Sequence, residues 1–365
     1  MKHFVVFANC IPIKGYRRSM IYDLQRYQLY PIPNELFHIL NYEYGNELND
    51  LYSKFPKYED IINEYFNFLE DKEIIFYTDS KEETNFFPSL NFEWDYPGLV
   101  IDAIVELNDD NYGELINFIP QIEQNGGRFL ELRFLGKDYN SIEKFLSSMQ
   151  TSAIRTIDLY ILNDGFDTDE LKQLYFKNNR IHKITVLSLD NKRTDVEGIY
   201  FVQEIEWGEN NIVKRDSMIV NMKYFMESQY HNTYLNRKIF VNADGIIKNA
   251  PKSDLHLGRI EDVVINEINF DEVNKLTKIT KDKIDVCKDC EFRYACFDQR
   301  IPIIRENSTW YHLIECNYNP YICKWKDEEG YQTLEEIGVI SNENGFSINH
   351  EKIATINKIL WEEET

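Results

Sequence analysis

Cys287-Lys288-Asp289-Cys290-Glu291-Phe292-Arg293-Tyr294-Ala295-Cys296 is the stretch on which the reading of this chain turns. It spells C-x2-C-x5-C, and Cys316 and Cys323 follow downstream. The remaining cysteine, Cys10, stands alone near the N-terminus and reads as a buried strand residue. Four thiolates gathered from two short loops make a tetrahedral soft-donor site, which suits an iron–sulfur cluster or zinc. Cys287, Cys290 and Cys296 supply three ligands. Cys316 supplies the fourth, with Cys323 as the alternative, and His312 is a further candidate nearby.

Working outward, the 365 residues are enough for two or three domains, and 43% hydrophobic with 14% aromatic content supports packed cores. A net charge of −22 argues against nucleic acid and anionic membranes as partners, because phosphates would be repelled. The opening Met1–Cys10 has a short apolar run followed by Lys14, Arg17 and Arg18, and reads as a strand, not a signal peptide. No stretch reaches the roughly 20 apolar residues of a membrane span. Clustered cysteines without a secretion signal point to metal ligation in a reducing cytoplasm.

Residues 1–80 read as strands followed by helices. Phe4–Ala8, Ser19–Leu24 and Arg26–Tyr30 are strand-like, and Pro31 and Pro33 stop the extended chain. Asn34 is the expected N-cap of a helix through Leu40, and Glu47–Tyr52 gives another short helix. Tyr58–Glu70 carries Ile62, Tyr65, Phe66 and Leu69 at helical spacing, and Ile74–Tyr77 closes the unit as a strand. That is the outline of a winged helix-turn-helix. After a linker over 81–97, strands at Val100–Leu107, Phe129–Leu135, Ile154–Leu162, Ile181–Leu189 and Ile199–Glu206 alternate with helices at Tyr112–Gln124, Ser141–Met149 and Asp167–Phe176. The repeat of roughly 27 residues predicts βαβ units and a parallel sheet or partial barrel. Residues 237–262 read as a separate hairpin turning at Asp244-Gly245, and Glu351–Glu363 as an amphipathic helix docked through Ile353, Ile356, Ile359 and Leu360.

The hairpin with Asp244-Gly245, then Gly258, then C-x2-C-x5-C and a later cysteine, resembles the SPASM domain that caps many radical S-adenosylmethionine enzymes acting on ribosomally made peptides. The family's fuller pattern has further cysteines where this chain has Ala250, no hairpin cysteine, and Arg300. The resemblance therefore implies one 4Fe–4S cluster on Cys287, Cys290, Cys296 and Cys316; from the residues alone, zinc stays open. The string Cys290–Arg300, with Cys10–Gly15, Arg18-Ser19, Ile21–Gln25 and Ile32-Pro33, looks like the SPASM peptide maturases of grasp-with-spasm systems. There a SPASM protein works beside an ATP-grasp ligase and a precursor peptide.

The expected fold is thus α/β: a winged-helix, peptide-recognition-like unit over 1–80, a degenerate partial (β/α) barrel over 98–235, a cysteine-rich SPASM-like domain over 236–330, and a tail over 331–365. The expected role is an accessory maturation protein that binds the precursor's leader as an added strand on Arg26–Tyr30, over the helix Tyr58–Glu70. Arg26, Tyr27, Gln28, Tyr30 and Tyr65 are the contact candidates. Radical chemistry needs three cysteines in C-x3-C-x2-C after the first barrel strand, and none lies between Cys10 and Cys287. A direct peptide-modifying iron–sulfur enzyme and a zinc-stabilised interaction scaffold are the alternative roles.

Overall fold

Asp23 sets the turn that leads into the strand Gln28–Ile32. Its carboxylate accepts the backbone N–H groups of Gln25 (3.1 Å) and Arg26 (2.9 Å) and the Arg26 guanidinium (2.9 Å). Those bonds close a turn in which Tyr27 takes a left-handed φ of 59°, a conformation uncommon outside glycine. The computed structural model describes residues 2–162, 165–188, 196–203, 213–269 and 275–361. The chain divides into two compact units, one built from 1–94, 212–233 and 279–365, the other from 95–211 and 234–278.

In the first unit, β1 (His3–Val6) pairs antiparallel with β5 (Ile75–Thr78). β2 (Cys10–Ile13), β3 (Ser19–Asp23) and β4 (Gln28–Ile32) form an antiparallel sheet in that order, with α1 (Asn34–Tyr42), α2 (Leu48–Lys54) and α3 (Glu59–Asp71) following. The strand expected at Phe4–Ala8 ends at Val6, and β2 is a separate strand that the sequence reading missed. The strand expected at Arg26–Tyr30 begins at Gln28 instead, because Arg26 and Tyr27 belong to the Asp23 turn. Pro31 does not stop that strand but lies within it, which an edge strand tolerates. Asn34 is not the N-cap but the first residue of α1; its side chain instead accepts from Ser19 Oγ (2.6 Å) and donates to the Tyr16 carbonyl (3.0 Å).

Alternation along the three strands sends the two faces of this sheet to different cores. Cys10, Ile21, Tyr30 and Ile32 join Leu36, Ile62, Phe66 and Leu69 of the helices. Ile11, Ile13, Met20, Tyr22 and Leu29 pack instead with Phe292, Ala295, Cys296, Tyr318 and Trp325. Every residue of β3 is consequently buried. The N-terminal unit expected over 1–80 and the cysteine stretch therefore share a sheet within one compact unit. Helix Met222–Tyr230 belongs to this unit as well: Tyr224 donates its hydroxyl to the Cys296 carbonyl at 2.8 Å, and Ile219 N–H bonds the Ala295 carbonyl at 2.7 Å. The C-terminal helix His350–Trp361 docks through Ile353, Ile356 and Leu360, while Ile359 is exposed. The last two residues of the helix expected to Glu363 lie outside the described residues.

The second unit is one eight-stranded, mostly parallel sheet. β6 (Asp102–Leu107), β7 (Phe129–Phe134), β8 (Thr156–Ile161), β9 (Ile181–Leu187) and β10 (Ile199–Val202) lie side by side in chain order, all parallel. α4 (Tyr112–Gln124), α5 (Tyr139–Ser148) and α6 (Thr168–Lys177) connect the first four. The ends of the strands expected to Leu189 and Glu206 lie outside the described residues. The hairpin read as separate is corrected here. β11 (Lys238–Val241) runs parallel to β6, and β12 (Ile246–Lys248) and β13 (His256–Arg259) extend the same sheet antiparallel. Lys238 Nζ reaches Asp102 at 2.7 Å across the β6–β11 seam, a pairing between residues too distant in sequence for local pattern to show.

Candidate metal centre

The cysteine stretch folds as a series of tight turns pinned by its own charged residues. Asp285 binds Arg305 at 2.5 Å and Lys288 at 2.8 Å, and holds the entrance of the loop. Val286 then takes a φ of 67°. For a β-branched residue this left-handed conformation costs about 1–2 kcal/mol, and it directs the chain into the short 3-10 turn Cys287–Asp289. On the far side, Glu291 has no exposed surface; it accepts from Arg18 Nε at 2.7 Å and from the Tyr318 hydroxyl. Tyr22 of β3 donates to the Glu291 carbonyl at 2.7 Å, and Tyr16 N–H to the Asp289 carbonyl at 2.8 Å.

Cys290, Cys296 and Cys316 share one core, and Cys287 and Cys316 line one cleft. Among the described residues, no three of these four sulfurs lie within 4.8 Å of one another. Burial pushes all four thiols up, Cys287 to about 12 and Cys290 well above its ordinary value. Two sulfurs already accept backbone donors: Phe292 N–H to Cys290 Sγ and Tyr318 N–H to Cys316 Sγ, both at 3.4 Å. Cys323, the alternative fourth ligand, is buried in the same core as Cys290, Cys296 and Cys316. Its surroundings are Glu291, Arg18 and Tyr318, and its sulfur lies 3.7 Å from the Pro320 carbonyl. Cys10, in β2, is 3% exposed and likewise pushed up by burial, to about 12.

Sequence reasoning named His312 as a candidate and Arg300 only as standing in a cysteine's place, and did not single out Asp298. Asp298 forms a fork with Arg300, Nε–Oδ1 at 2.9 Å and Nη2–Oδ2 at 2.7 Å. Arg300, where the resemblance places another cysteine, also donates to the Ile314 carbonyl at 2.5 Å. His312 Nε2 lies 3.5 Å from Asp298 Oδ2, its Nδ1 is buried without a hydrogen-bond partner, and burial pushes it down to about 4. Ligand atoms of Cys287, Asp298 and His312 all lie within 4.8 Å of one another. Because Asp298 is already engaged by Arg300, it fits an orienting carboxylate beside the thiols better than a ligand. Cys287, Cys316, Arg300 and His312 line a cleft of about 380 Å³ whose rim includes the exposed Leu313 and Ile340.

The donor set fits the group the sequence implies. Four thiols, Cys296 buried and the other three half-buried, two of them already hydrogen-bonded from the backbone, are the donor type that an iron–sulfur cluster or zinc takes. Among the peptide-contact candidates, Gln28 and Tyr30 lie on β4, an edge strand, and Tyr30 meets the Phe68 ring of α3 at 6.2 Å. Arg26 bridges Asp23 and Glu73 (2.9 and 2.6 Å), Tyr27 is 66% exposed in the turn, and Tyr65 packs half-buried on the helical core. In the second unit, the loop after β6 has no cysteine. Asn108 and Asn111 tie it to the Ala243 carbonyl at 3.3 and 3.1 Å.

No family model matches the chain, and no curated protein matches it. Among solved structures it is similar to Streptococcus suis SuiB bound to S-adenosylmethionine, at 10% identity and a TM-score of 0.31, covering 80% of this chain and 94% of that one. A second structure of Streptococcus suis SuiB gives 9% identity and a TM-score of 0.28, with the same coverage. Scores this low transfer neither fold nor chemistry. Among the described residues, no helix is long and apolar enough to cross a membrane.

Proposed function

We propose that this chain is an accessory protein of peptide maturation, which binds a precursor's leader segment and presents the peptide to an ATP-grasp ligase. The observation that carries this reading is the shared sheet: β4 is an edge strand, and one face packs against the cysteine stretch through Phe292, Ala295 and Cys296. Pro31 cannot donate to β3, so alternation along the strand places the N–H and C=O of Leu29 and the C=O of Pro31 on the open edge. A leader strand adds there through those groups, with its side chains over Tyr30 and α3. The ligase partnership comes from the resemblance of the cysteine and opening stretches.

Cys287, Cys290, Cys296 and Cys316 would hold one 4Fe–4S cluster, with zinc as the alternative. When bound, a cluster with four thiolates has no open iron and supplies electron transfer or structural cross-linking; zinc supplies the cross-link alone. The cleft beside Cys287 and Cys316 favours, as a second reading, direct modification of the peptide by an iron–sulfur enzyme.

Anaerobic purification with iron, sulfide and zinc quantification tests the centre. About four irons and four sulfides per chain indicate the cluster, and one zinc without sulfide indicates the cross-link. Neither metal after reconstitution would overturn the metal reading. Incubating the precursor with and without the ligase then separates the two roles: a mass change with this protein alone selects the enzyme.

A further inference from the structure

Four thiolates around a divalent zinc, or around a cluster core of charge two plus, leave a net charge of minus two. A buried anion of that size needs compensation from the protein. Among the cations beside these thiols, two bear on this charge. The Lys281 ammonium donates to the Cys296 carbonyl at 2.9 Å and makes no ion pair with a carboxylate among the described residues. That same carbonyl accepts the Tyr224 hydroxyl, so the ammonium is held by a fixed neutral partner next to Cys296 and Cys287.

Arg300 is the second cation. It forks onto Asp298 and lines one cleft with Cys287 and Cys316, while Lys281 is held at the Cys296 carbonyl. At Cys290 the nearby guanidinium is that of Arg293, which donates to the Cys290 carbonyl at 3.0 Å but is already paired with Asp282 at 2.9 Å. The Cys290 and Cys316 sulfurs each take a backbone N–H as well.

We propose that Lys281 and Arg300 are the charge-balancing partners of a tetrathiolate centre on Cys287, Cys290, Cys296 and Cys316, and set how tightly its metal is held. Lys281 is the sharper case, because no carboxylate pairs with it; Arg300 has a second duty in fixing Asp298. The proposal rests on the metal reading above, and goes beyond it by assigning work to residues that touch no metal.

The test uses the full chain, reconstituted anaerobically, as wild type, Lys281→Met, Lys281→Gln and Lys281→Arg, with circular dichroism to verify folding. Metal release to a chromogenic chelator is timed for each. Outer-shell partners of metal ligands are typically worth 10–100-fold in affinity, so release from Lys281→Met and Lys281→Gln should be about tenfold faster or more. Lys281→Arg, which keeps the charge, should stay near wild type. If the centre is a cluster, its midpoint potential should fall in the two neutral variants, because a lost cation disfavours the reduced form, and should recover in Lys281→Arg. Metal bound by wild type but released at one rate from all variants, or equally fast from Lys281→Arg and Lys281→Met, overturns the charge-balancing role and leaves the metal reading intact. A wild-type chain that takes up no metal overturns both.

Discussion

Glu291→Ala is the substitution that most directly probes the shared sheet. The carboxylate is fully buried, accepts from Arg18 and Tyr318, and its backbone carbonyl holds Tyr22 of β3. Removing it leaves the Arg18 guanidinium beside the cysteine loop without a counter-charge, with the Tyr318 hydroxyl, at 3.2 Å, as its remaining partner there. Breaking a buried ion pair from one side costs about 3–5 kcal/mol. The Arg18 side chain is 27% exposed and can turn partly toward water, which brings the expected loss to about 2–3 kcal/mol. Urea unfolding followed by tryptophan fluorescence should show a midpoint about 1 M lower, given a slope of about 2–3 kcal/mol/M. Replacing both partners with apolar residues, Arg18→Met with Glu291→Leu, should recover most of the loss, because no charge is then stranded. A cost below about 0.5 kcal/mol, the size of an ordinary surface change, would refute the reasoning. So would separate transitions for probes in α3 and in the cysteine loop, since a shared sheet requires that they unfold together.

Three further outcomes are expected. Cys316→Ser should abolish stoichiometric metal uptake while Cys323→Ser leaves it unchanged, as measured by metal analysis after reconstitution; Cys316 lines one cleft with Cys287, whereas Cys323 has Glu291, Arg18 and Tyr318 around it. Leu29→Pro, which removes the one N–H on the open edge of β4, should weaken binding of a fluorescent precursor peptide by about tenfold, the loss of roughly one hydrogen bond, while Tyr27→Ala in the neighbouring turn should not. Burial alone would raise the Asp23 carboxyl, but the bonds from Arg26 and from the Arg26 and Gln25 N–H groups outweigh it and hold it below its ordinary 3.8. Its stabilisation is therefore present above about pH 4 and is lost as pH falls through the lower, folded-state value. Asp23→Asn should accordingly cost about 1.5–3 kcal/mol at pH 7, and the gap from wild type should close as pH falls below 4 in thermal unfolding.

Much of the local structure was legible because it repeats. Ile62, Phe66 and Leu69 of α3, and the alternation of β6 to β9 with their helices, stand out at helical and strand periods. Pairing between distant segments was not legible. The separate hairpin over 237–262 is a case in point: its first strand completes the large sheet through β6, a partner more than a hundred residues earlier. The same holds for β3, whose run Ser19-Met20-Ile21-Tyr22 shows burial on both sides but does not say against what. At the site, cysteine spacing announced the thiols, because few other reasons gather five in one stretch. Lys281, Asp298 and Arg300 gave no such signal: in a chain with 62 carboxylates and 40 Lys and Arg residues, the few that are inside look like the many outside.

A strand with two clients inherits the constraints of both. Ile21 answers to the helices, and Met20 and Tyr22 to the cysteine side. Neighbouring positions in the sequence therefore drift under unrelated pressures, and a change on either side must leave the other undisturbed. The N-terminal segment cannot be excised and grafted elsewhere as a portable peptide-binding module, because excision strips one whole face of its sheet. On the function proposed above, iron or zinc starvation would cost peptide binding along with the metal, tying the supply of one to the use of the other.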